Sequence, residues 1–262
     1  MLHKARKRFG QNFLVDQSVI NHIVRAIHPQ QVDKLVEIGP GKGALTAPLV
    51  EACPQLQVIE LDKDLIPILL AQFAKYQQFK IHQCDALKFN FSSLISAGEK
   101  LRVVGNLPYN ISTPLIFHLL SFENIIADMY FMLQKEVVLR LAANPGEKNY
   151  GRLSVMTQYH CEISHLFDVP AESFRPAPKV ESAIVHLLPY NEKPIVAKDE
   201  SHFQQLVNIA FQQRRKTLRN ALKSYAEEIE ERSAKIEIDF TLRAENLSVR
   251  DYVNLSNTLV ES

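Results

Sequence analysis

The chain has 262 residues, 46% hydrophobic and 23% charged, with a net charge of +1 at neutral pH. That is the balance of an ordinary globular protein of one large or two modest domains, without the global basicity that announces nucleic acid. No apolar run reaches the length a bilayer requires, the three cysteines include no CxxC, and the nine histidines form no HxH or HxxxH pair, so no membrane span, disulfide framework or metal site is expected.

The N-terminus carries Lys4, Arg6, Lys7 and Arg8 and lacks the apolar stretch of a signal peptide, so a cytoplasmic protein is expected. Residues 3–15 read as a solvated basic arm, or as a phosphate-contacting arm followed by a segment that folds over a site. Asp16 is placed to cap a helix with Val19, Ile20, Ile23, Val24 and Ile27 on its apolar face, ending at His28-Pro29.

A strand at 34–38 runs into Gly39-Pro40-Gly41-Lys42-Gly43, followed by a helix at 44–52. Next come a strand at 57–61, a helix around 64–73, and a strand at 79–83 ending at Cys84-Asp85. A fourth strand, 101–105, leads into Asn106-Leu107-Pro108-Tyr109. Ser112 or Thr113 can cap the next helix, 114–120, with Pro114 in its first turn. A fifth strand at 127–133, helices at 134–142 and 152–159, and strands at 162–169 and 182–188 follow. This alternation predicts an α/β, Rossmann-like parallel sheet with helices on both faces. The two late strands, joined without a helix, suggest a hairpin at one edge.

Residues 189–198 read as a linker. Beyond it no strand signal survives, and 199–262 reads as three or four helices, so the domains expected are 1–190 and 191–262. Phe211, Leu218 and Leu222 mark one helical face; Arg215, Lys216, Arg219 and Lys223, beside Arg214, form a basic stripe on another. The acidic run from Glu227 to Glu231 polarises this region, which favours an oriented nucleic-acid contact over a merely solvated face.

The glycine turn has GxGxG spacing, and the order GxxxxGK[ST] of a phosphate cradle is absent. Gly39 and Gly41 let the backbone approach a ligand closely, which suits the amino-acid half of a sulfonium cofactor. Glu60 lies where a carboxylate grips ribose hydroxyls. Asp85 can accept from an adenine amine, or be an ordinary strand-end acid. Asn106-Leu107-Pro108-Tyr109 is a good turn. It is also suited to an exocyclic amine: the Asn106 side-chain oxygen and the Leu107 carbonyl, held extended by Pro108, can accept its hydrogens while Tyr109 stacks on the base. With four such groups at four successive strand ends, the amine clamp is the better reading.

These residues bring a family into view. The chain closely resembles the bacterial small-subunit (16S) ribosomal RNA adenine N6-dimethyltransferases. The resemblance covers nearly its whole length, in Gln11-Asn12-Phe13-Leu14, Glu37-Ile38-Gly39-Pro40-Gly41, Glu60-Leu61-Asp62, Asn106-Leu107-Pro108-Tyr109, the segment from Phe174 to Ser182, and Arg214-Arg215-Lys216-Thr217-Leu218-Arg219-Asn220. It implies a methyltransferase domain at 1–190, a small all-α RNA-binding domain at 191–262, and S-adenosyl-L-methionine as cofactor. It implies cofactor contacts from Asn12, Leu14, Gly39, Glu60, Asp85 and Asn106, of which Asn12 and Leu14 rest on the resemblance alone. RNA contacts are expected from Arg6, Lys7, Arg8, Arg214, Arg215, Lys216 and Arg219. The implied reaction places two methyls on N6 of each of two adjacent adenosines near the 3′ end of 16S RNA in an assembling small subunit. A monomer is expected, without metal or membrane.

In the expected mechanism the target base enters between Tyr109 and Phe174. Phe174 has a second reading, as core beneath a proline-rich loop; the stiffening by Pro176 and Pro178 favours the first. The rivals are an adenine N6-methyltransferase for 23S RNA or for DNA, and a non-enzymatic RNA-binding or transcription factor on the same fold.

Overall fold

A computed structural model describes residues 12–213 and 215–260. Arg6, Lys7, Arg8 and Arg214 therefore lie outside the described residues. The chain separates into two compact units. One holds the described residues up to Val138 together with Ile163–Pro189; the other holds Leu139–Glu162 and the described residues from Tyr190 onward.

The first unit opens with a two-residue strand, β1 (Phe13–Leu14), and helix α1 (Gln17–Ile27). Asp16 caps α1, its carboxylate accepting from the Ser18 and Val19 amides, and His28 ends it in the left-handed region at φ 48°. Then follow β2 (Lys34–Ile38), α2 (Thr46–Ala52), β3 (Gln57–Glu60), α3 (Ile66–Gln72), β4 (Lys80–Gln83), β5 (Leu101–Asn106), α4 (Ser112–Leu120) and β6 (Ile126–Gln134). β2, β3, β5 and β6 each carry a buried apolar stretch, as expected where both faces of a parallel sheet are covered. Four parallel pairings join β4, β3, β2, β5 and β6 in that spatial order.

Helix α5 (Lys135–Leu141), helix α6 (Arg152–Gln158), β7 (Cys161–Val169), the short β8 (Phe174–Arg175) and β9 (Ser182–Pro189) come next. β9 runs antiparallel to β6 and lies between β6 and β7. The late strands are thus neighbours at one sheet edge, as expected, with the earlier of the two outermost. β8 joins β1 in a separate two-stranded ribbon, Leu14 opposite Phe174. At two residues each, these strands are too short for any periodicity to reveal.

The second unit contains α6, α7 (Glu200–Gln212), α8 (Leu218–Ala221), α9 (Ala226–Glu231) and α10 (Val249–Leu259). α7 and α10 start at capping side chains, Asp199 and Ser248. The division expected at residue 190 is displaced, because 139–162 packs with the C-terminal helices. The Tyr159 hydroxyl donates to Glu200 and accepts from the Ala197 amide, and the Gly146 amide donates to the Glu245 carbonyl. Leading into that helix, the sequence carries only an amphipathic pattern, which does not say which core it joins.

The basic stripe is also corrected. It does not run along one helix, since α7 stops at Gln212 and α8 begins at Leu218. The Leu218 and Arg219 amides donate to the carbonyls of Leu242 and Phe240 at 2.7 and 3.1 Å instead of continuing an α7 ladder. Arg215 and Lys216 are exposed in the intervening turn, and Arg219 is exposed on α8.

Candidate active site

The register of the sheet assembles the site. Ile38 lies opposite Ile59 and Gly105, and Glu60 opposite Gln83. Gly39, Glu60, Asp85 and Asn106 therefore emerge along one edge, at the C-terminal ends of four adjacent strands, where open α/β sheets bind ligands. They line a cavity of about 370 Å³ shared by Asn12, Leu14, Leu107 and Tyr109, within the usual range for small-molecule sites.

The glycine turn is a backbone cradle. Gly39 and Gly41 have φ of +70° and +58°, a region that disfavours side chains. A Cβ on Gly41 would fall 3.2 Å from the Phe13 ring. Glu60 is buried and fastens this turn: its Oε2 accepts from the Gly41 amide at 3.3 Å and its Oε1 from the Asp62 amide at 2.7 Å. A carboxylate has about four lone-pair directions, so room remains for ribose hydroxyls. Burial pushes the Glu60 carboxyl up, and these two amides oppose the shift. Asp85 uses one oxygen, Oδ1, to accept from the Leu87 amide at 3.0 Å. Cradle, paired acids and cavity size together fit a nucleoside with an amino-acid tail, as S-adenosylmethionine has.

Asn106 ends β5, and its Nδ2 donates to the Asn12 carbonyl at 3.2 Å. The Leu107 amide donates to the Met132 carbonyl, which holds the backbone against β6. The Tyr109 hydroxyl is hydrogen-bonded to Ser182 Oγ at 2.8 Å, fixing the ring on the cavity wall. Ser112 stands inside α4 rather than capping it, its hydroxyl donating to the Tyr109 carbonyl.

Phe174 departs from expectation. It is 1% exposed, packs in the core with Leu14, Val169 and Ile184, and does not line the cavity. Pairing of β8 with β1 turns the ring inward, so the stacking partner for Tyr109 is not assembled in this structure.

Glu37 has no role in the sequence reading beyond the family motif, yet it lines the cavity. Burial pushes its carboxyl up to about 8, and the Thr46 hydroxyl donates to it at 2.6 Å. The folded protein therefore holds this proton well above 4.5, where the unfolded chain releases it. Across that window the native state binds more protons, so stability is full below the lower value and falls as pH rises. The slope approaches about 1.4 kcal/mol per pH unit. Glu37→Gln is expected to match the wild type near pH 5 and to melt at higher temperature near pH 8. Parallel melting temperatures across that range would rule out this ionisation.

Among the described residues no group of three or more histidines, cysteines and acids could hold a metal ion. No helix among them is long and apolar enough to cross a membrane.

Comparison with known proteins agrees with this geometry. The family model described as ribosomal RNA adenine dimethylase matches residues 2–261. A protein of Saccharophagus degradans named ribosomal RNA small subunit methyltransferase A is 66% identical, over 98% of this chain and 95% of its own length. Its namesake in Pseudomonas aeruginosa is 57% identical, over 99% and 96%. The crystal structure of a dimethyladenosine transferase from Plasmodium falciparum superposes with a TM-score of 0.78 at 26% identity, over 93% of this chain and 95% of that one. The 23S rRNA methyltransferase ErmE shares the fold, with a TM-score of 0.75 at 22% identity, over 95% and 100%. With one family model spanning almost every residue and relatives matched along nearly their full lengths, this chain belongs to the ribosomal RNA adenine dimethylase family.

Proposed function

We propose that this S-adenosylmethionine-dependent rRNA adenine dimethyltransferase acts on N6 of two adjacent adenosines near the 3′ end of 16S RNA, in an assembling small subunit. The observation that supports the chemistry is the register of Gly105 with Ile38, from which Asn106 and Gly39 follow at the same sheet edge. The small subunit is favoured over 23S RNA by the names of the relatives described above, 57–66% identical to this chain.

Asn12, Leu14, Gly39, Glu60, Asp85 and Asn106 hold the cofactor, Glu60 at the ribose and Asp85 at the adenine amine. Bound there, S-adenosylmethionine supplies an electrophilic methyl on a positive sulfur that departs as a neutral thioether. Asn106 Oδ1 and the Leu107 carbonyl accept the two hydrogens of the target amine, directing its lone pair outward from the ring plane. Tyr109 stacks on the flipped base, offsetting part of the few kcal/mol that unstacking costs. Catalysis is then chiefly positioning and electrostatics, and the methylated amine gives its proton to water. For the second methyl the clamp gives up one hydrogen bond.

Arg215, Lys216 and Arg219, together with Arg6, Lys7, Arg8 and Arg214, contact RNA phosphates; loss of each weakens binding and its salt dependence without changing base preference. The protein works as a cytoplasmic monomer. Mass-spectrometric mapping of methyl groups after reaction with assembling 30S particles, naked 23S RNA and duplex DNA tests the reading. Dimethyladenosine at two adjacent 16S positions is expected; 30S particles as the worst substrate would overturn it.

A further inference from the structure

We infer that Phe13 is a positioning residue for Asn106, acting through the Asn12 carbonyl; this rests on the amine-clamp reading above. A carboxamide is nearly symmetric in shape, and half a turn about its last bond exchanges oxygen for NH2. An amine clamp works in only one of the two orientations. With Oδ1 toward the target it accepts an amine hydrogen; with NH2 toward the target, two donors face each other. Something outside the side chain must choose.

The Asn12 carbonyl makes that choice. It lies 3.2 Å from Asn106 Nδ2, and a carbonyl oxygen can only accept, so the NH2 edge is drawn to it and Oδ1 turns away. The reversed amide would set oxygen against oxygen. This carbonyl comes from outside the sheet, so its position depends on what holds β1.

Among the described residues, contacts of three kinds hold it. Leu14 is buried in the core. β1 pairs with β8, and the following Val15 amide donates to the Ser173 carbonyl at 2.9 Å. Phe13 supplies the third, on the cofactor side. Its ring packs on the missing Cβ position of Gly41, and Lys42 Nζ lies 4.6 Å from its centroid, within cation–π range. Phe13 thus wedges the strand against the glycine turn next to Asn12. A chain of contacts runs from the cofactor cradle, through Phe13 and the Asn12 carbonyl, to the amide that receives the substrate. A turn pushed out of place would release the clamp, so the clamp is set only over a formed cradle.

The test uses the full-length protein and two independent readouts. The first is the NMR signal of the Asn106 side-chain NH2, identified by its absence in Asn106→Ala. One of its protons is expected to be downfield and slow to exchange with solvent in the wild type, and to lose both properties in Phe13→Ala but not in Phe13→Tyr. The second is single-turnover methyl transfer at saturating S-adenosylmethionine. Phe13→Ala is expected to be slower by about 30- to 100-fold, the scale of a misplaced reacting group, with Phe13→Tyr restoring most of the rate. In an Asn106→Ala background, Phe13→Ala should cost little more, because both act at one amide.

If Phe13 were only a cavity wall, Phe13→Ala would weaken cofactor binding while saturation restored the rate. That result, an unchanged Asn106 signal, or a full additional loss in the Asn106→Ala background would each overturn the assignment. Should the wild type methylate no adenine N6, the functional reading fails by itself, and the NMR arm still decides whether Phe13 orients Asn106.

Discussion

Replacing Asn106 with alanine is expected to lower the methyl-transfer rate by about 10²- to 10³-fold, the usual cost of removing one preorganised hydrogen-bonding group from a transition state. The N6 lone pair of adenine is delocalised into the ring, and the reaction requires it to become tetrahedral. An acceptor held in place before the substrate arrives favours that change without reorganising itself. Asn106 meets this requirement because it ends β5 opposite Met132 of β6 and its amide is tied to Asn12. The loss should appear in single-turnover rate at saturating cofactor and RNA, with the melting temperature close to that of the wild type. The side chain is only part-buried and makes a single described hydrogen bond, so little stability depends on it. A variant retaining half its rate would remove Asn106 from the chemistry.

The second large effect is expected at Gly105, one residue earlier. A Cβ there would lie 2.5 Å from the Ile38 carbonyl oxygen and 3.1 Å from a Leu107 methyl. The first neighbour is backbone of β2, which is paired on its other side with β3; β5 is likewise paired with β6. Neither strand can yield without disturbing a second pairing. Gly105→Ala is therefore expected to destabilise the fold by about 3 kcal/mol or more, at or beyond the upper end of ordinary overpacking. It should also abolish cofactor binding, because the strands it separates deliver Gly39 and Asn106 to the site. Gly151 is the control. Nothing lies within 4 Å of its added Cβ and its backbone is extended, so alanine there should cost only what it costs at the N-cap of α6, about 1 kcal/mol or less. Denaturant melts and calorimetric titration of S-adenosylmethionine on both variants separate the two expectations. A Gly105→Ala protein as stable as Gly151→Ala would contradict them.

Much of this site is legible in the sequence. Runs such as Lys34–Ile38 and Leu101–Asn106, each followed by a turn and a helix, imply a parallel core. In that arrangement strand ends share an edge, so Gly39, Glu60, Asp85 and Asn106 converge as a matter of topology. Local chemistry also settled the Asp16 cap.

What the sequence could not decide were matters of contact between distant segments. The β1–β8 ribbon joins residues about 160 positions apart through two-residue strands, and it helps decide that Phe174 is core and that Asn12 meets Asn106. The basic stripe looked continuous because helical spacing was intact. It breaks because the Leu218 and Arg219 amides find carbonyls in residues 240–242. Residues 139–162 join the C-terminal helices through partners such as Glu200 and Glu245. Glu37 is an ordinary acid in the sequence, and only burial in the fold pushes its carboxyl up. The sequence by itself determined the strand ends and the groups they carry, since those follow from local pattern and topology. Tertiary structure decided which of those groups face the cavity, which are buried and how the Asn106 amide is turned, because each depends on neighbours that no local pattern names.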